Sequence, residues 1–236
     1  MQLHQIPAHY DRAAPAYDWL TDLVFGRLLG IETHRRTAID RLGSLEQATI
    51  LDLGCGTGRN FALLAPRVGP PGRVVGLDYS AGMLEQARRR LVSRGWSNVD
   101  LVRADAAGFE IAPGSVDAVV SVWCLGIVHD LEAALTRTLA ALRPGGRLAI
   151  VDFGRARPDR GLLRWLYPTY RALLQRAGID TAEDLDDARL RARWRRGREL
   201  LRGQLRDYEE STYLRGLGLM ISGRKAPASG WGPENR

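Results

Sequence analysis

The chain has 236 residues, 45% of them hydrophobic and 26% charged, with a net charge of +7. That length suits one α/β domain with a full core, and the composition is that of an ordinary soluble globular protein. No stretch approaches the ~20 apolar residues of a membrane-spanning helix, and nothing near the N-terminus pairs a basic head with an apolar run, so no secretory signal is expected.

The two cysteines, Cys55 and Cys124, each lie inside an apolar segment. A disulfide framework is therefore not expected, no Cys/His spacing suggests a metal site, and the expected compartment is cytoplasmic. The positive charge is uneven. Residues 1–150 hold 16 basic and 15 acidic side chains, whereas residues 151–236 hold 18 and 12. Net charge speaks to partners and solubility rather than to fold.

In chain order, residues 10–42 read as helical, with "WLTDLVFGRLLG" as the apolar portion. "ATILDLG" (48–54) is a buried strand ending in glycine. "RNFALLAPRV" is a short helix expected to end near Pro66. "GRVVGLD" (72–78) is a second strand after a Gly-Pro-Pro-Gly turn, and Ser80 is placed to cap the following helix. "NVDLVRAD" (98–105) and "SVDAVVSVW" (115–123) are strands three and four. The helix starting near Asp130 is expected to stop at Pro144-Gly145-Gly146, before a fifth strand, "RLAIVDF" (147–153). Beyond it, "DRGLLRWLYPTYRALLQRAG" reads as a kinked helix. Residues 186–210 read as a second helix, with Leu190, Trp194, Leu201 and Leu205 on one face and arginines from Arg189 to Arg206 on the rest. The segment 211–226 closes the fold as two strands around Gly216 and Gly218, and "PASGWGPENR" is a frayed tail. There is no internal repeat.

Strands alternating with helices at this spacing predict an α/β fold with a mostly parallel, doubly wound sheet. Ligands of such sheets lie at the carboxyl ends of the strands where strand order reverses. Gly54, Gly56 and Gly58 follow the first strand as GxGxG. The dinucleotide fingerprint needs its third glycine at position 59, which is Arg59. GxGxG after Asp52 suits a ligand with a positive amino group and close backbone approach, but no diphosphate. Asp78 ends strand two, 20 residues after Gly58, where a carboxylate can take both hydroxyls of a ribose. Asp105, followed by Ala106, ends strand three, where a carboxylate can accept from an adenine amine. Together these describe a nucleoside with a zwitterionic tail, S-adenosylmethionine.

"LDLGCGTGRN" (51–60), "VVGLDYSAGMLEQAR" (74–88), "ADAAGFEIAPGSVDAVVSVW" (104–123) and "ALRPGGRLAIVDF" (141–153) resemble, in order, the successive motifs of class I S-adenosylmethionine-dependent methyltransferases. The resemblance covers roughly residues 45–153. "HYDRAAPAYDWL" (9–20), "LLRWLYPTYRALL" (162–174) and "TYLRGLGLMISGRK" (212–225) resemble more loosely the ubiquinone/menaquinone C-methyltransferases and bacterial phospholipid N-methyltransferases. The resemblance implies a seven-stranded Rossmann-like sheet whose last hairpin brings one antiparallel strand. It implies that Gly54, Cys55 and Gly56 flank the methionine portion of the cofactor, with Asp52 near its amino group. Asp78 would hold the ribose, Tyr79 and Met83 would pack near the adenine, Asp105 and Ala106 would contact the base, and Val122 and Trp123 would line the methyl-transfer site. Tyr10 and Tyr17 would come from a lid, Tyr17 as a cofactor or catalytic contact.

The expected division is an N-terminal helical lid (1–44), a methyltransferase domain (45–225) with a helical acceptor-side insertion (154–206), and a flexible tail (226–236). Methyl transfer from a sulfonium mainly needs alignment and exclusion of water; a phenol or carbon acid also needs a proton removed. The candidate base is His129, in "WCLGIVHD" after strand four. Many relatives carry polar residues where this chain has Gly126 and Ile127. His4, His9 and His34 read as solvated. The covering segments are apolar (Trp19, Leu20, Phe25, Trp165, Leu166, Tyr167, Tyr170), so the expected acceptor is a lipophilic or aromatic small molecule, a quinone precursor or a phospholipid amine, with a secondary metabolite as the alternative. A cofactor-binding protein without transfer and a dehydrogenase are the competing classes. The arginines from Arg189 to Arg206 read first as a solvated face and second as a basic amphipathic helix with a Trp that docks on anionic lipid. Nucleic acid is not expected, since neither a basic-aromatic stacking platform nor an (N/D)PP(Y/F) motif is present.

Overall fold

The computed structural model describes residues 30–155, 187–227 and, between those spans, 165 and 169. The elements are α1 (Ile31–Arg41), β1 (Thr49–Leu53), α2 (Phe61–Val68), β2 (Arg73–Asp78), α3 (Ala81–Arg94), β3 (Val99–Arg103), β4 (Val116–Val122), α4 (Leu131–Ala141), β5 (Leu142–Phe153), α5 (Asp187–Gln204), β6 (Leu205–Tyr213), a 3-10 turn (Leu214–Gly216) and β7 (Gly218–Lys225).

Seven strands form one sheet in the order β3-β2-β1-β4-β5-β7-β6. All neighbours from β3 to β5 are parallel, and β7 runs antiparallel to both β5 and β6. The order reverses between β1 and β4, so the crevice past their carboxyl ends is where this topology places a ligand.

The sheet is buried on both sides, as parallel sheets require. Leu51, Leu53, Val119, Leu148 and Ile150 meet α4 and α5 on one face. Ile50, Val74, Val120, Ala149 and Val151 meet α1, α2 and α3 on the other. Alternate residues of one strand thus serve two cores, which explains the continuous apolar runs in the sequence. Ser80 caps α3 by accepting from the Met83 N–H at 3.1 Å, and Asp130 caps α4 by accepting from Ala133 N–H at 2.9 Å.

Several boundaries differ from expectation for physical reasons. Gly30 precedes α1 with φ 60°, a left-handed conformation that breaks a single helix across 10–42. Pro66 lies inside α2, which continues to Val68. In the last turn of so short a helix the missing N–H costs a single bond. The helix α4 stops at Ala141, because Leu142 already pairs with Val116 and Pro144-Gly145-Gly146 fall in a register shift of the β4–β5 ladder. Likewise α5 ends at Gln204, and Leu205 begins β6 instead of continuing the helical face, because residues 205–213 pair with β7. Residues 1–29 and 228–236, including Tyr10, Tyr17, Trp19, Leu20, Phe25 and most of the tail, lie outside the described residues, as do Leu166, Tyr167 and Tyr170. Trp165 is described and strongly exposed. No helix among the described residues is long and apolar enough to cross a membrane.

Candidate active site

The glycines after β1 divide the labour of building the crevice. A Cβ on Gly54 would sit 2.2 Å from Cys124 Sγ, so this glycine lets the loops after β1 and β4 touch. A Cβ on Gly58 would sit 2.6 Å from the Phe61 ring and 3.3 Å from Ala87, so that glycine seats α2 and α3 together. Gly56 differs. It has φ 55°, and nothing lies within 4 Å of where its Cβ would be.

The resulting cleft is lined by Gly54, Cys55 and Gly56 after β1, and by Asp78, Tyr79, Ser80 and Met83 at the β2–α3 junction. Ala104, Asp105 and Ala106 follow from β3, and Val122, Trp123, Ile127, Val128 and His129 come from the end of β4 and its loop. Of the expected cofactor-contact residues, Asp52 and Gly58 stand behind this lining, and Tyr17 lies outside the described residues.

Both oxygens of Asp78 brace the backbone around the cleft. Oδ2 accepts the Gly56 N–H at 2.8 Å and Oδ1 accepts the Ser80 N–H at 2.9 Å. Asp105 Oδ1 accepts the Ala107 N–H at 2.9 Å, and its Oδ2 lies 3.7 Å from Nδ1 of His129. A carboxylate has about four acceptor positions, so each acid retains capacity for a ligand.

Beneath the glycines after β1, Asp52 is fully buried; its Oδ1 accepts from Asn60 Nδ2 at 2.7 Å, while Oδ2 has no hydrogen-bond partner. Burial pushes its carboxyl up to about 7, against the lowering pull of the Asn60 bond and of Arg35. Asn60 also accepts from Arg35 Nη1, so an amide bridges a buried acid and a nearly buried guanidinium. This end of the cleft therefore offers both signs of charge.

Trp123 takes φ 54°, a left-handed conformation unusual for a bulky side chain. Its indole N–H donates to the Tyr213 hydroxyl at 2.9 Å, which in turn donates to the Asp152 carbonyl at 3.1 Å. The guanidinium of Arg35 lies 5.3 Å from the Trp123 ring centroid. The indole is thus held on two sides. His34, expected to be solvated, is instead half-buried with its ring 4.0 Å from that of Tyr213, and burial lowers its pKa. Cys55 and Cys124 are both pushed well above the ordinary thiol range, chiefly by burial and next by nearby carboxylates. Thiolate chemistry is therefore not available at neutral pH.

Residues 50–146 match the family model described as a methyltransferase domain. A 2-phytyl-1,4-naphtoquinone methyltransferase of Thermosynechococcus vestitus is 38% identical over 70% of this chain and 75% of its own length. A ubiquinone/menaquinone biosynthesis C-methyltransferase of Vibrio cholerae is 31% identical over 94% of this chain and 86% of its own. This chain belongs to the class I S-adenosylmethionine-dependent methyltransferases.

Among solved structures, a methyltransferase from Aquifex aeolicus aligns with this methyltransferase at a TM-score of 0.63 and 18% identity, covering 90% of this chain and 98% of that one. Another match at 0.64 and 18% identity, covering 95% and 96%, is a [4+2]-cyclase. Likeness at this level shows the fold alone, so the assignment rests on the sequence relatives.

The methyltransferase uses S-adenosylmethionine, and its own atoms fit that molecule. The open space over Gly56 admits a ligand at backbone distance, and behind the lining the buried Asp52 Oδ2 has no hydrogen-bond partner, an acceptor suited to a cofactor that carries an ammonium.

Arg35, Asn60, Cys124 and Ile127 also line or brace the cleft but were not singled out by the sequence patterns. Asn60 closes the LDLGCGTGRN motif just before α2, whereas Arg35 lies inside α1 in no motif and meets Asn60 only in three dimensions. The departure at Gly126 also has a cause. Its N–H donates to Asp152 Oδ2 at 2.9 Å, and a Cβ would sit 2.7 Å from the other oxygen of that carboxylate.

Proposed function

We propose that this methyltransferase methylates a ring carbon of a lipophilic quinone precursor. The observation carrying this reading is that the likeness to a quinone C-methyltransferase runs along nearly the whole chain, the acceptor side included, and not only over the cofactor-binding half. The chemistry of the cleft agrees. Val122, Trp123, Ile127 and Val128 make its β4 wall apolar.

When bound, S-adenosylmethionine supplies a methyl group on a sulfonium sulfur, already activated for in-line displacement. The residues of this chain then have to bind, orient and exclude water. Asp52, Asn60 and Arg35 would receive the charged amino-acid end, with Gly54, Cys55 and Gly56 allowing backbone approach. Asp78 would accept from the ribose hydroxyls. Tyr79 and Met83 would flank the base, and Asp105 with Ala106 would meet its edge. Trp123, locked by Tyr213, would form a flat wall for an aromatic acceptor beside Val122. His129 is turned toward Asp105, so we assign it to the nucleoside end of the cleft; as the methyl–sulfur bond breaks and the methyl–ring carbon bond forms, the proton displaced from the ring carbon passes to solvent after transfer and not to His129. Tyr17 would belong to a lid whose residues are not among those described.

Peripheral contact with an anionic membrane forms part of the proposal, in altered form. Trp194 is fully buried with Leu190 and Leu201 against the core, so α5 does not insert an apolar face into a bilayer. Only its arginine face is available.

Incubation with methyl-labelled S-adenosylmethionine, a chemically reduced polyprenyl naphthoquinone and phosphatidylethanolamine tests the acceptor. Label on the naphthoquinol ring is expected; label on the phospholipid amine alone overturns the reading.

A further inference from the structure

We infer that the groove between α5 and the β6–β7 hairpin binds phosphate groups of anionic phospholipids and so seats the mouth of the catalytic cleft on a lipid surface; this deepens, and rests on, the membrane contact proposed above. Arg191, Arg195 and Arg198 line the groove from α5, and Arg155 lines it from the chain just past β5. The three helical arginines stand at i, i+4 and i+7, one stripe of the helix. The adjacent stripe, about 100° around the helix, holds Leu190, Trp194, Gly197 and Leu201 and is buried. Among the described residues, Thr212, Gly216, Gly218 and Leu219 supply the wall across from the helix.

Among the described residues, acids answer part of the charge on α5. Asp187 pairs with Arg191 at 3.0 Å, and Glu210 is shared by Arg198 at 2.9 Å and Arg202 at 2.8 Å. Arg195 is exposed and makes no ion pair among the described residues. Basic side chains at an anionic membrane surface attract it within a Debye length, without insertion.

The groove's place in the fold gives the contact a consequence. Because β5 runs parallel to β4, the end of β5 that carries Gly154 and Arg155 lies on the same edge of the sheet as the cleft. Arg193 of the same helix donates to the carbonyl oxygens of Gly126 and Val128, in the loop that ends at His129. A lipid surface held at the groove is therefore tied through α5 to the cleft mouth, so a lipophilic acceptor reaches the site without crossing water.

The test is co-flotation of the full chain with vesicles of phosphatidylcholine alone and of phosphatidylcholine with 30% phosphatidylglycerol, at low and at physiological salt. Binding is expected only to the anionic vesicles and to weaken with salt. The Arg191→Gln/Arg195→Gln variant is expected to lose about thirtyfold in partitioning, at roughly tenfold or less per charge. An Arg88→Gln/Arg94→Gln variant removes the same charge from α3, at the far side of the sheet, and is expected to partition like the parent. Equal loss in both variants would mean that net charge alone attracts, and unchanged binding of the first variant would mean that the groove is not the contact; either overturns the inference. Inorganic phosphate that protects the chain from thermal unfolding while vesicles do not bind would assign the groove to a free phosphate and also overturn it. Turnover of a short-chain, water-soluble quinol is expected to be the same in the first variant as in the parent. Failure of that turnover in the parent strikes at the acceptor reading, independently of flotation.

Discussion

Asp78 Oδ2 accepts the backbone N–H of Gly56 at 2.8 Å. The acid that ends β2 thereby fixes the loop after β1 while its remaining lone pairs face the cleft. Replacing Asp78 with Ala removes the proposed ribose acceptor and releases the loop. Each charge-assisted hydrogen bond contributes roughly 1.5–3 kcal/mol, so affinity for S-adenosylmethionine is expected to fall about 100-fold by calorimetry. Asp78→Asn can still accept the Gly56 N–H and is expected to fall less. Unchanged affinity in the alanine variant would remove Asp78 from the cofactor site.

The two neighbouring glycines separate packing from binding. Gly54→Ala places a methyl 2.2 Å from Cys124 Sγ at φ 73°, so it is expected to lower the melting temperature by well over the effect of strain alone. Gly56→Ala meets nothing within 4 Å. It carries only the left-handed backbone cost of about 1–2 kcal/mol, yet its methyl occupies space at the cleft lining, and cofactor binding is expected to be lost from a chain that still folds. Thermal unfolding and calorimetry on both variants check this; Gly56→Ala with parental affinity would show that the cofactor does not approach this backbone.

What the sequence could and could not disclose follows the same division. Gly54, Asp78, Ser80 and Asp105 were legible because a local pattern ties each to a strand end or a helix cap. The strand order around β1 followed from the alternation of elements. The ends of α4 and α5 did not, because Leu142 and Leu205 leave their helices for pairings with residues 26 and 20 positions away in the chain. Arg35 and Tyr213 were silent for a similar reason. Their partners, Asn60 and Trp123, come from other elements, so no spacing in the sequence joins them. The helical period groups Trp194 with Leu190 and Leu201, and the three are buried together, but the period alone leaves open whether such a face meets the core or a lipid surface.

Asp52 gives the fold a pH dependence with a definite sign. Its folded pKa of about 7 stands above the ordinary value near 4, chiefly because burial disfavours the charge. Between those values the folded chain holds a proton that the unfolded chain releases, so stability is full below pH 4 and declines as pH rises to about 7. For a fully buried group the change is on the order of 4 kcal/mol. Asp152, raised by burial to about 6, acts in the same direction over a narrower window. A bound ammonium favours the ionised form, so cofactor affinity is expected to rise across the same interval. Melting temperatures at pH 5 and pH 8, with and without S-adenosylmethionine, are the measurement. Asp52→Asn is expected to flatten the dependence and weaken binding at pH 8; an unaltered slope would assign it elsewhere.

His129 decides between two chemistries at one position. Its Nδ1 is 3.7 Å from Asp105 Oδ2, and its side chain is about one-third exposed. As a wall of the nucleoside end, His129→Gln is expected to raise KM for S-adenosylmethionine by about threefold to tenfold, the size of one ordinary hydrogen bond, and to leave kcat and its pH profile in place. As a general base it would instead cost roughly 100-fold or more in kcat and abolish the acidic limb of that profile. The geometry favours the first outcome, because the imidazole is directed to the carboxylate after β3, whereas the apolar residues fit for an aromatic ring, Val122 and Trp123, end β4. Steady-state kinetics of the variant from pH 6 to 9 separates the two, and loss of kcat with an unchanged KM would return proton transfer to His129.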